Sequence, residues 1–133
     1  MKKLFVLFTL FFSLLLFPIN SFAKWYNSGI TPDGDTVYID QDLVKKHNNS
    51  VYFHILMDHL LPKTKEGTMS WNNYSQFKCD TGEFRFITQK YFKNPMGKGV
   101  PFISSNSPSK EFVVLPSSSI LSKVGEDLCT GPN

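Results

Sequence analysis

Two cysteines in a chain that opens with an export leader constrain this fold more than any other feature. Cys79 and Cys129 are the only cysteines. Residues 1–23 begin Met1-Lys2-Lys3, run through the apolar stretch Leu4 to Phe17, and close with Pro18 to Ala23. Ser21 and Ala23 are small residues two apart, the pattern that a signal peptidase accepts, so cleavage is expected between Ala23 and Lys24. In the oxidising compartment to which such a leader delivers a chain, an even pair of cysteines reads as a disulfide. Closing a loop of about 50 residues stabilises a fold by roughly 4 kcal/mol in the chain-entropy picture. The competing reading, a catalytic thiol, needs an activating neighbour, and neither cysteine has one in the sequence.

The leader also limits what the rest can be. A bilayer-spanning helix needs about 20 apolar residues, and Pro18 ends this run too early. Lys24 follows the cleavage point where a lipid-attached chain would carry Cys. No other segment is long and apolar enough to span a membrane. The expectation is an exported protein, periplasmic or secreted, with outer-surface display left open. The full chain has 14 basic and 11 acidic residues. Removing Lys2 and Lys3 leaves twelve against eleven, a net charge of +1. That is no clustered basic surface of the kind nucleic acid requires. Residues 24–133 make one domain, large enough for a modest core.

Along that domain most segments read as strands. Lys24 to Gly29 is a first strand, and Thr31-Pro32-Asp33-Gly34-Asp35 is a turn, with Pro fixing one dihedral and Gly accepting positive φ. Thr36 to Ile39 is a strand, and Asp40 to Asn49 is a polar connection. In Val51 to Leu61, Val51, Phe53, Ile55 and Met57 alternate with Tyr52, His54, Leu56 and Asp58. Thr68 to Cys79 and Glu83 to Lys93 form a hairpin around Asp80-Thr81-Gly82. Val100 to Ser104 and Phe112 to Leu115 are short strands. The one helix lies at the end: Ser117, Ser118 and Ser119 offer N-caps, and Leu121, Val124 and Leu128 share a face. Gly125 weakens its middle. Strands followed by one helix predict an α+β fold, an antiparallel sheet of about five to six strands with the C-terminal helix on one face.

Hairpin register decides which face the bridge reaches. With Cys79 opposite Phe84, the residues Trp71, Phe77 and Cys79 share a face with Phe84, Phe86 and Phe92, and the helix ending at Cys129 covers them. A Gly-bulge loop would instead set Cys79 opposite Glu83 and split the aromatics, so the first register is preferred. It leaves Tyr74, Gln76 and Lys78 beside Arg85, Ile87, Gln89 and Tyr91 on the other face. Lys78 would oppose Arg85, a mildly unfavourable pair. Either an anionic partner compensates or both side chains splay into water. Tyr and Arg are enriched at interfaces, so Tyr74, Lys78, Arg85 and Tyr91 form the candidate binding face.

No catalytic set is visible. His54 and His59 are five apart and point to opposite faces of a strand, and His47 is remote, so packing or surface roles fit better than metal ligation. The acids of Asp33-Gly34-Asp35 and Asp40-Gln41-Asp42 lack calcium-loop spacing. Met96-Gly97-Lys98-Gly99 lacks the phosphate-loop spacing. No serine sits in Gly-x-Ser-x-Gly. The expectation is a non-enzyme without a cofactor.

In order along the chain, several features resemble the surface-adhesin protein E family of bacteria. They are Trp25, the Asp33-Gly34 turn, Val37-Tyr38-Ile39-Asp40, the strand Val51 to Leu60, Cys79 with Phe84-Arg85-Phe86, Tyr91, Met96-Gly97-x-Gly99, Pro116, the serine run and Cys129. The resemblance implies an antiparallel sheet with a C-terminal helix tied on by a Cys79–Cys129 bridge. It also implies adhesion to a host extracellular or envelope protein, with self-association as a homodimer plausible for such a sheet. A periplasmic carrier of a small ligand or haem is the alternative, motivated by the aromatic residues and the three histidines.

Overall fold

The computed structural model describes Met1 and residues 23–132; the leader expected at residues 1–23 lies almost wholly outside the described residues. Among the described residues eight strands and one α-helix follow in order: β1 (Trp25–Ile30), β2 (Thr36–Asp40), β3 (Lys45–His47), β4 (Ser50–Lys63), β5 (Thr68–Lys78), β6 (Glu83–Phe92), β7 (Ile103–Ser105), β8 (Val113–Val114) and α1 (Ile120–Thr130). All pairings are antiparallel, in the order β1-β2-β4-β5-β6-β7, with β3 beside β4 and β8 beside β6. The class is the one expected. The extra strands are short pieces that pair with only part of a neighbour, and β3 has a polar sequence that hides it. Asn48 and Asn49 both take positive φ, 46° and 59°, and make the tight two-residue turn that returns β3 onto β4.

One face of the sheet holds the core. Val37, Ile39, Val51, Phe53, Ile55, Phe77 and Phe84 are almost fully buried there, and Ile120, Leu121, Val124 and Leu128 of α1 pack against them. The helix starts where the serines predict, with Ser119 Oγ accepting the Ser122 N–H at 3.1 Å. Gly125 does more than weaken the helix. A Cβ at this position would fall 2.5 Å from the Phe77 ring, so only glycine lets the backbone settle onto that aromatic. One turn later Cys129 is bridged to Cys79, two residues beyond Phe77, with Cα atoms 5.8 Å apart.

The hairpin register differs from the expected one in two steps. Phe77, not Cys79, lies opposite Phe84, because the Lys78 carbonyl accepts the Gly82 N–H at 2.9 Å and widens the turn. A shift of two residues keeps each side chain on its expected face. Then Ile87 is left without a partner, between the pairs Ser75–Phe86 and Tyr74–Thr88. This bulge moves the register by one and exchanges the faces for the rest of β6. Side chains brace it: Asn73 Oδ1 accepts the Lys90 N–H at 3.1 Å, and Thr88 Oγ1 accepts the Tyr74 N–H at 3.3 Å. Tyr91 therefore pairs with Trp71 on the helix-covered face, and Phe92 joins Ser70 on the other.

A small second core sits on that other face. Leu56 and Phe92 are buried beneath the loop after β6, where Gly97 lies against both side chains. Met96 N–H donates to Asp58, Gly97 N–H to Ser70 Oγ, and Ser70 Oγ–H to the Asn94 carbonyl.

Asp35 ties the first turn to the end of β4. Its carboxylate accepts the Leu60 N–H at 3.0 Å, meets His59 Nδ1 at 3.0 Å and Lys63 Nζ at 3.6 Å. Burial alone would raise its pKa, but the Leu60 N–H, His59 and Lys63 outweigh burial and hold it below the usual carboxylate value. A depressed folded-state pKa stabilises above the unfolded value of about 4 and is lost as pH falls through the folded one. Asp35→Asn should cost about 1–3 kcal/mol near neutral pH and flatten the fall of melting temperature below pH about 4. Gly125→Ala should cost about 1–3 kcal/mol by overpacking Phe77, read as a lower melting temperature with the bridge intact.

Candidate interaction face

With α1 on one face, the opposite face is left open over most of β3 to β6. Its side chains fall into cross-strand rows. Lys45, Tyr52, Gln76 and Arg85 make one row across β3, β4, β5 and β6. His54, Tyr74 and Thr88 make the next. Tyr38, Leu56, Asn72 and Lys90 make a third.

The centre is aromatic. His54 and Tyr74 lie with ring centroids 4.7 Å apart, and Tyr52 and Tyr74 are 6.3 Å apart. All three are half-buried, so their rings shield one another while the outer surfaces stay accessible. Burial lowers the His54 pKa, and Lys90 and Lys45 add repulsion against contributions from Asn72 and Asp40. Near neutral pH the imidazole is therefore an uncharged ring. Burial and the nearby Tyr52 raise the Tyr74 pKa, so its phenol keeps its proton.

Toward the hairpin turn a polar relay stiffens the face. Arg85 Nε–H donates to Gln76 Oε1 at 2.9 Å, and Gln76 Nε2–H donates to Ser50 Oγ at 3.1 Å. Phe112 lies beneath two cations, 4.5 Å from the Arg85 guanidinium and 3.9 Å from Lys78 Nζ. Lys78 also holds Glu83 at 2.9 Å. Lys78 and Arg85 are thus diagonal neighbours, not opposed as expected, and the ring and Glu83 relieve their repulsion. A held guanidinium loses less freedom when it binds.

Of the four residues expected on the binding face, the structure brings Tyr74, Lys78 and Arg85 together. Tyr91 is excluded by the bulge and donates its hydroxyl to Gln89 on the far side. Tyr38, Tyr52, His54, Lys45 and Phe112 were not among the expected residues. The alternation in β4 already placed Tyr52 and His54 on one side. Nothing local in the sequence showed that this side continues that of Tyr74.

Among the described residues, no group of three or more His, Cys, Asp or Glu is placed to hold a metal ion. No described helix is long and apolar enough to cross a membrane. A cleft of about 570 Å³ opens on the helix side, lined by Phe84, Phe86, Val113, Leu115 and Leu121 among others.

The family model for surface-adhesin protein E matches residues 25–130. The chain belongs to the surface-adhesin protein E family. Solved structures of Haemophilus influenzae protein E share the fold. One crystal form has a TM-score of 0.58 at 15% identity, covering 84% of this chain and 91% of that one. Protein E from the non-typeable organism has a TM-score of 0.51 at 14% identity, covering 84% and 79%. A search of curated proteins finds no match. Family membership, the sheet-and-helix layout and the Cys79–Cys129 bridge agree with the expectations drawn from the residues.

The ring cluster makes a direct prediction. An NMR titration of His54 should give a midpoint below the ordinary 6.5, and Tyr74→Ala should move it upward by admitting water.

Proposed function

We propose that this chain is an exported, non-enzymatic binding module that captures a protein partner on the open sheet face. Residues 24–133 act as one domain after removal of the leader at Ala23–Lys24. The observation that carries the reading is the row Lys45-Tyr52-Gln76-Arg85 beside His54 and Tyr74, an aromatic centre with a braced arginine. Tyr and Arg anchors of this kind dominate the energetics of protein interfaces. Membership of a family named for surface adhesion supports the same reading. The partner is an extracellular host protein or an envelope protein, and a homodimer is a further form the sheet could support.

The test is capture from matrix and envelope extracts by the folded, disulfide-intact protein. Tyr52→Ala combined with Arg85→Glu should reduce recovery about tenfold or more while the circular dichroism of the folded sheet is unchanged. Undiminished recovery would reject the face as the binding surface.

A second reading, a small-ligand carrier, is favoured by the apolar cleft beside Phe84 and Leu121. The residues lining it include no histidine, so it suits an uncharged apolar ligand better than an iron-ligated haem. A rise in melting temperature with such a ligand, absent in Leu121→Trp, would support it; no rise across a panel of apolar compounds would remove it.

A further inference from the structure

Charge on the open face narrows the chemistry of its partner, an inference that rests on this face being the binding surface. Three cations ring its aromatic centre. Lys45 and Arg85 end one row, and Lys90 stands two rows away on the Arg85 strand. None of the three is in an ion pair among the described residues. The carboxylates that the register turns to this side are all engaged. Asp40 is buried and accepts the Asp42 N–H, Asp58 accepts the Met96 N–H, and Glu83 holds Lys78 and Thr81. Asp40 and Asp58 keep their charge but hold it on backbone N–H groups, so Lys45, Arg85 and Lys90 are the charges that this face leaves for a partner.

We infer that the partner docks through an extended acidic peptide segment whose carboxylates meet Lys45, Arg85 and Lys90 while its backbone lies over Tyr52, His54 and Tyr74. Spacing supports a peptide. Lys45 and Arg85 are three strand separations apart, about 14 Å, and Lys90 is offset along the strand by a similar length. The two offsets are perpendicular, so Lys45 and Lys90 stand about 19 Å apart on a diagonal that crosses the rings, the span of six residues of extended peptide. Acidic residues six apart on one side of the peptide meet Lys45 and Lys90, and a third between them on the same side turns toward Arg85. The rings between the cations cover the backbone, and phenol hydroxyls and the Asn72 amide supply hydrogen bonds to it. A sulfated polysaccharide, with charge on every unit, selects closely spaced cations, and this face instead separates them by apolar rings.

The experiment uses the folded protein with its disulfide intact and two synthetic peptides, one with Glu at both ends of a six-residue step and at one position between them on the same side, in a Ser/Tyr background, and one with Gln at those positions. Heparin serves as the polysaccharide probe. The Glu peptide should bind saturably, with NMR shifts at Tyr52, His54 and Tyr74, and the Gln peptide should bind about tenfold more weakly. Arg85→Glu and Lys90→Glu should each weaken the Glu peptide by about tenfold, and a peptide with Lys in place of Glu should recover binding to the double variant. Equal binding of the Glu and Gln peptides, binding of neither, or tighter binding of heparin at the same residues overturns the acidic-peptide assignment. If capture from extracts still depends on Tyr52 and Arg85 in those cases, the binding face stands and only the partner's chemistry is wrong. If capture is independent of them, the face itself is wrong.

Discussion

The close approach of α1 to Phe77 at Gly125 is the contact on which the rest of the structure depends. It has no tolerance for a side chain, since a Cβ would fall inside the ring's contact distance. The disulfide one helical turn away fixes the same two elements covalently. Together they decide which face of the sheet is core. Apolar burial from Val37 across to Phe84 follows from that choice, and so does the exposure of the opposite side. A helix seated elsewhere would leave the core residues wet and the tyrosines covered.

The bulge at Ile87 is the second constraint. It turns Tyr91 under the helix side and Phe92 to the other, where Phe92 and Leu56 make a small core capped by the loop at Gly97. That cap closes one end of the open face, and the aromatic and cationic rows occupy what remains. The bulge thus divides one side of the sheet into a structural end and an accessible end.

Much of this was legible in the residues, for identifiable reasons. Alternation in Val51 to Met57 and the spacing of Leu121, Val124 and Leu128 reflect burial on one side, which each element records by itself. The Cys79–Cys129 bridge follows from compartment and count. What the residues could not record is how separate elements meet. The β6 bulge depends on Asn73 and Thr88 bonding across strands, so Tyr91 was assigned to the wrong face. Strand β3 carries Lys45-Lys46-His47, a polar triplet held by the Asn48-Asn49 turn and by Lys46 reaching the Gly131 carbonyl. Tyr52 and His54 join Tyr74 only because β4 and β5 pair in one register. Sites assembled across strands are visible only once that register is known.

Placing the working surface on the side away from α1 is the central claim. It is tested most directly by a photo-crosslinking residue introduced in living cells, at position 74 in one strain and at the exposed helix position 123 in another. A working surface on that side gives a discrete crosslinked species from position 74, lost on Arg85→Glu, and none from position 123. Crosslinking from position 123 with none from position 74 would contradict it.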